Sequence, residues 1–101
     1  CENLRSLLIS ELHELQHLEL SGLEKCTMLE VLMIVDNGKL KRLSIAPLEH
    51  CRNLKRLHLF NNALEDLDLS PLSRASSLRT VRIGGNRFTR DVEEIKEPLR
   101  T

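Results

Sequence analysis

The chain has 101 residues, room for one domain. Twenty-two of them are leucine, against two aromatics, Phe60 and Phe88, so the core must close on many small aliphatic contacts. Fifteen Lys and Arg balance fifteen Asp and Glu, which removes the global basic excess that draws proteins onto nucleic acid or anionic lipid, and no apolar run approaches the roughly 20 residues of a membrane-spanning helix.

The chain is built from a repeated phrase, read here from its start. The first residues lack the charged and apolar regions of a signal peptide, and a start on a core-pattern Cys1 without Met suggests a piece of something longer. The first unit, about residues 1–25, runs Leu4/Leu7/Ile9, then Leu12, then Leu15/Leu18/Leu20/Leu23. The second, 26–50, repeats all eight positions 25 residues on, as Leu29/Leu32/Ile34, Asn37 and Leu40/Leu43/Ile45/Leu48. The third, 51–74, holds Leu54/Leu57/Leu59, Asn62 and Leu64/Leu67/Leu69/Leu72, with one residue dropped between Asn62 and Leu64. The fourth, 75–88, holds Leu78/Val81/Ile83 and Asn86. In residues 89–101, Asp91 and Glu94 have capping-box spacing and Pro98 stops the helix. This segment reads either as a C-terminal cap or, because Leu99-Arg100-Thr101 echoes Leu78-Arg79-Thr80, as the start of a further repeat.

Alternation at Leu57-x-Leu59 predicts a half-buried strand, and copies stacked side by side predict a parallel sheet on one wall of a solenoid. The Asn that follows can bond backbone groups at the inward turn and form a ladder through successive copies. Leu12 interrupts that ladder, so its turn is expected to be packed rather than hydrogen-bonded. Leu67-x-Leu69 predicts a second, shorter strand on the opposite wall. Ser70-Pro71 reads as an N-cap and first helical residue of a short helix or 3₁₀ turn through 72–77.

The phrase Leu54-x-x-Leu57-x-Leu59-x-x-Asn62-x-Leu64, with its period, resembles that of leucine-rich repeat proteins over residues 1 to about 88. Leu67-Asp68-Leu69-Ser70-Pro71-Leu72 is similar to repeats of archaeal and other microbial cytosolic proteins. The resemblance implies an α/β solenoid with a parallel concave sheet, short convex strands and short helical or 3₁₀ turns. It also implies non-catalytic binding of a partner protein through the concave sheet. The alternative is a structural spacer or stacking segment of a larger receptor, regulator or effector.

His13-Glu14-Leu15-Gln16-His17 spells the zinc-protease signature H-E-x-x-H, but that chemistry needs both imidazoles on one helix face, whereas the repeat register makes this stretch a turn and a strand. Gly84-Gly85-Asn86 reads as a turn. No active site is legible, and neither enzyme activity, a cofactor nor a metal is expected. Cys1, Cys26 and Cys51 each open a unit at the slot that Ala75 fills in the fourth, and are expected to be buried and reduced. With no C-x-x-C, they favour a reducing, cytoplasmic setting. Lys39, Lys41, Arg42, Arg52, Lys55 and Arg56 mix with Glu30, Glu49 and Glu65 and read as a solvated surface.

The residues between the strand leucines point outward. They form ladders Ser6/Val31/Arg56/Thr80, Leu8/Met33/His58/Arg82 and Ser10/Val35/Phe60/Gly84, edged by Glu11/Asp36/Asn61/Gly85. Leu8, Val31, Met33, Val35 and Phe60, bordered by Arg56, His58, Arg82, Glu11 and Asp36, form an apolar centre with a charged rim, the composition of a protein-binding patch. Phe60, Met33 and Val35 are the expected anchors. Neither nucleic acid nor membrane is an expected partner. An uncapped first unit predicts marginal stability or a homodimer through the open repeat end.

Overall fold

A computed structural model describes residues 3–99. The strand-forming phrase of each unit makes one strand: β1 (Ser6–Ser10), β3 (Val31–Val35), β5 (Arg56–His58) and β6 (Thr80–Arg82). They form a single parallel sheet in the order β1-β3-β5-β6. The pairing Leu7↔Leu32↔Leu57↔Val81 fixes the register, because a slip of one residue would turn every leucine to water. On the other wall β2 (His17–Glu19) pairs in parallel with β4 (Arg42–Ser44). The core fills the space between, and Leu29, Leu32, Leu54, Leu57, Leu59 and Leu69 have no exposed surface.

Among the described residues no third strand joins β2 and β4, contrary to the alternation at Leu67-x-Leu69. Both leucines are buried as expected, and the Leu67 N–H donates to the carboxylate of Asp66 at 2.9 Å. Each of the first three units returns through a 3₁₀ turn, at Leu23–Lys25, Ala46–His50 and Ser70–Leu72. The last begins at Ser70 and ends at Leu72, the first residue of the expected span of 72–77. Ser70 lies inside the turn rather than capping it, and its N–H donates to Asp68 Oδ1 at 2.9 Å.

After β6 the chain forms α1 (Val92–Ile95) and a 3₁₀ turn at Glu97–Leu99 that contains Pro98. The Asp91 side chain caps α1 by accepting from Glu93 N. Ile95 enters the core, and Arg90 holds Asp66 of the preceding unit at 2.7 Å. The expected echo at Arg100 and Thr101 lies outside the described residues.

The inward turns carry an asparagine ladder. Asn62 Oδ1 accepts from both the backbone N–H and the side-chain amide of Asn37, while Asn62 Nδ2 donates to Ile34 O and Leu59 O. Asn86 Oδ1 serves the Asn62 N–H in the same way. The first turn corrects the expectation for Leu12. Its N–H donates to Asn37 Oδ1 at 3.0 Å, and its side chain is 45% exposed. Each asparagine caps the turn of the unit before it, so the first unit needs none of its own for this bond.

Candidate functional site

The predicted ladders are in register: Val31 lies between Ser6 and Arg56, Met33 between Leu8 and His58, and Arg82 beside His58. Leu8 is 59% exposed, Arg56 and Arg82 are exposed, and Val31, Met33 and His58 are half-buried. Phe60 follows β5, half-buried, with its ring 5.9 Å from that of His58 and tilted by 54°. Seven of the eight expected surface residues therefore keep accessible side chains on this face.

Val35 does not. It is only 6% exposed, and the outward alternation of β3 ends there. The next residue, Asp36, takes a left-handed conformation, φ 59°, and Asn37 after it is buried in the core. The same device stands in every unit, at Glu11 (φ 57°), Asn61 (φ 57°) and Gly85 (φ 66°). From the sequence this row is placed at the edge of the ladders without its left-handed turn, although Asn61 and Gly85 are residue types that favour one.

The electrostatics of the face are lopsided. Arg5 and Lys55 both reach Glu30, at 3.2 and 3.5 Å, and Lys39 reaches Glu14 at 3.2 Å. Among the described residues, neither Arg56 nor Arg82 has an ion-pair partner. Desolvation first, and then the charges of Arg82 and Arg56, hold the His58 imidazole below its usual value.

Residues 13–17 form a turn and the first residue of β2, so His13 and His17 do not share a helix face. Among the described residues, no group of three or more His, Cys, Asp or Glu is placed to hold a metal ion. The cysteines depart from the uniform reduced state. Cys26 is disulfide-bonded, while Cys51 is free and buried, its thiol pushed up by desolvation and the Glu24 charge. Cys1 lies outside the described residues.

Parallel strands from tandem units, 3₁₀ returns and an asparagine ladder define a leucine-rich-repeat solenoid. Among solved structures it is similar to internalin C2 from Listeria monocytogenes, with a TM-score of 0.61 and 28% identity over 81% of this chain. The chain spans 32% of that protein's length. Comparison with protein-family models gave no match, and comparison with curated proteins gave none.

Proposed function

We propose that this chain is a non-catalytic interaction module that binds a partner protein through the exposed face of its four-stranded sheet. Leucine-rich repeats serve in general as protein-interaction folds, which supports the class. The observation that carries the choice of face is the row Leu8–Met33–His58–Arg82, one residue from each strand in direct register. A large exposed leucine at the head of such a row is costly to leave in water, and a contiguous apolar patch rimmed by charge is what interfaces use.

A photoreactive side chain placed at position 33 tests the face, with one at position 42 on the opposite wall as control. Partner adducts are expected from 33 and not from 42, and are expected to vanish with Leu8→Ser. Adducts from 42 alone would overturn the choice of face. A match that spans 32% of its structural neighbour also fits a spacer within a larger protein, and adducts from neither position would favour that reading. Light scattering over a concentration series addresses the homodimer: a monomer leaves the face to a foreign partner, and a dimer lost with Leu8→Ser makes the partner a second copy.

A further inference from the structure

The exposed face changes character from one end of the sheet to the other. On β1 and β3 its rungs are Leu8, Val31 and Met33, and on β5 and β6 they are Arg56, His58 and Arg82. Arg56 and His58 share a face of β5 because side chains repeat every two residues along a strand, and Arg82 stands directly opposite His58. Three basic groups thus meet on two strands without a carboxylate among them. Elsewhere Glu30 takes both Arg5 and Lys55, Glu14 takes Lys39 and Asp66 takes Arg90, while other cations such as Lys41, Arg42 and Arg52 have no ion pair among the described residues. What distinguishes Arg56 and Arg82 is their place on one sheet face beside His58. In a chain of zero formal charge, Arg56 and Arg82 keep their guanidinium groups on the face that also carries the exposed Leu8. Like charges so placed oppose each other, and a carboxylate arriving from outside would relieve both.

We infer that the face takes an acidic peptide segment of the partner, with a carboxylate between Arg56 and Arg82 and an apolar side chain against Leu8 and Met33. The inference rests on the interaction reading above and adds the chemistry of the ligand. From the middle of the β5–β6 pair to the middle of the β1–β3 pair is two strand spacings, ~10 Å, which an extended chain crosses in about three residues. The matching segment therefore carries Asp or Glu about three positions from a large aliphatic or aromatic residue. A nucleic acid fits this surface less well. Its phosphates would lie against Leu8 and Met33, Phe60 is the one aromatic side chain near the basic group for a base to stack on, and Glu11 and Asp36 stand at the strand ends of the apolar half.

A random peptide library displayed on phage and panned on the 101-residue protein supplies the probe, and the selected peptides are measured by fluorescence anisotropy. The expected peptides pair an acid with an apolar residue at that spacing. Their affinity falls about tenfold or more with Arg56→Glu/Arg82→Glu and with Leu8→Ser/Met33→Ser, and falls with added salt. Should the charge reversals unfold the protein, Arg56→Gln/Arg82→Gln takes their place. Peptides without acids that need Leu8 and Met33 but ignore the arginines would overturn the acidic class and leave the interaction face standing. Peptides indifferent to both pairs of substitutions would overturn the face as well. An unenriched library would overturn the acidic segment, while the adducts from position 33 judge the face separately.

Discussion

The first and third units follow one sequence pattern and meet different fates. In the third, Leu54, Leu57, Leu59, Leu64, Leu67, Leu69 and Leu72 are all buried. In the first, the matching Leu4, Leu7, Ile9, Leu15, Leu18 and Leu23 are only partly buried, and Leu20 alone reaches the core. The side chains are nearly identical, so the difference comes from neighbours: the third unit is covered on both sides and the first on one. A repeat protein is stabilised by the interfaces between its units more than by the units themselves. The far end shows the remedy, for there α1 lowers Ile95 onto the last unit and Arg90 ties it back to Asp66. The first unit has no counterpart among the described residues, and Leu8 and Leu12, the large exposed hydrophobic residues, both belong to it.

The sharpest way to break this comparison is to remove the same leucine from each unit. Leu57→Ala empties a fully enclosed site and should cost about 3 kcal/mol, within the range for buried leucines. Leu7→Ala, its partner in register two strands away, should cost about 1 kcal/mol, because its pocket is already open to water and less apolar burial is lost. Urea denaturation of the two variants gives the ratio. Equal losses would mean that the first unit is covered in solution by something beyond residues 3–99, a second copy included.

Next in size is the asparagine ladder. Asn62→Ala removes the acceptor of the Asn37 N–H and a donor to the Ile34 carbonyl, while Asn37 Nδ2 keeps Ile9 O and Leu59 O keeps Asn86 Nδ2. Leaving such buried groups unpaired should cost about 2 kcal/mol. Hydrogen exchange should then locate the damage at Asn37 and the end of β3, in the unit before the substitution, because each asparagine serves the turn behind it. Fast exchange confined to the third unit would contradict that direction.

This direction also explains what could be read from the sequence and what could not. Register, the inward leucines and the positions of the returns follow from period and alternation, which are properties of single units and survive stacking unchanged. The plainest error arose where one unit acts on another. Leu12 was expected to lack a hydrogen bond because its own side chain has none to give, but the bond comes from Asn37. Alternation alone puts Val35 outside, yet it is buried, while Phe60 at the same position of the third unit stays half-buried. The third convex strand does not form among the described residues, although Leu67 and Leu69 are buried as their alternation predicts. On the candidate face, the in-register row Leu8–Met33–His58–Arg82 was legible because it depends on pairing alone.

The left-handed row offers a smaller test within the turns. At Gly85 (φ 66°) a Cβ would collide with the Asn61 side-chain oxygen and come within 3.1 Å of Asn61 N, while at Gly84 a Cβ meets nothing within 4 Å. Gly85→Ala should therefore cost about 1–2 kcal/mol from backbone strain, before any displacement of Asn61, and Gly84→Ala should change stability by less than about 0.5 kcal/mol. Thermal melts of the pair separate the two. The turns of the first and third units carry Glu11 and Asn61 in the same left-handed state. If Gly85→Ala proved as mild as Gly84→Ala, that conformation would not be holding the turns in place.

The smallest expected effect is Leu12→Asn, which gives the first unit the residue that the others have. Restoring a motif usually suggests a gain. Here the ladder argues for almost none. Asn37 Oδ1 already accepts from the residue-12 N–H, and Asn37 Nδ2 already donates to Ile9 O, the carbonyl a new amide in that turn would seek. What an asparagine adds elsewhere is service to the unit before it, and no such unit lies among the described residues. The substitution should leave the urea midpoint nearly unchanged, within about 0.5 kcal/mol, while removing an exposed apolar side chain. A gain as large as the loss from Asn62→Ala would mean that residue 12 has a carbonyl to serve on its outer side, and hence that the first unit is not the end of the stack.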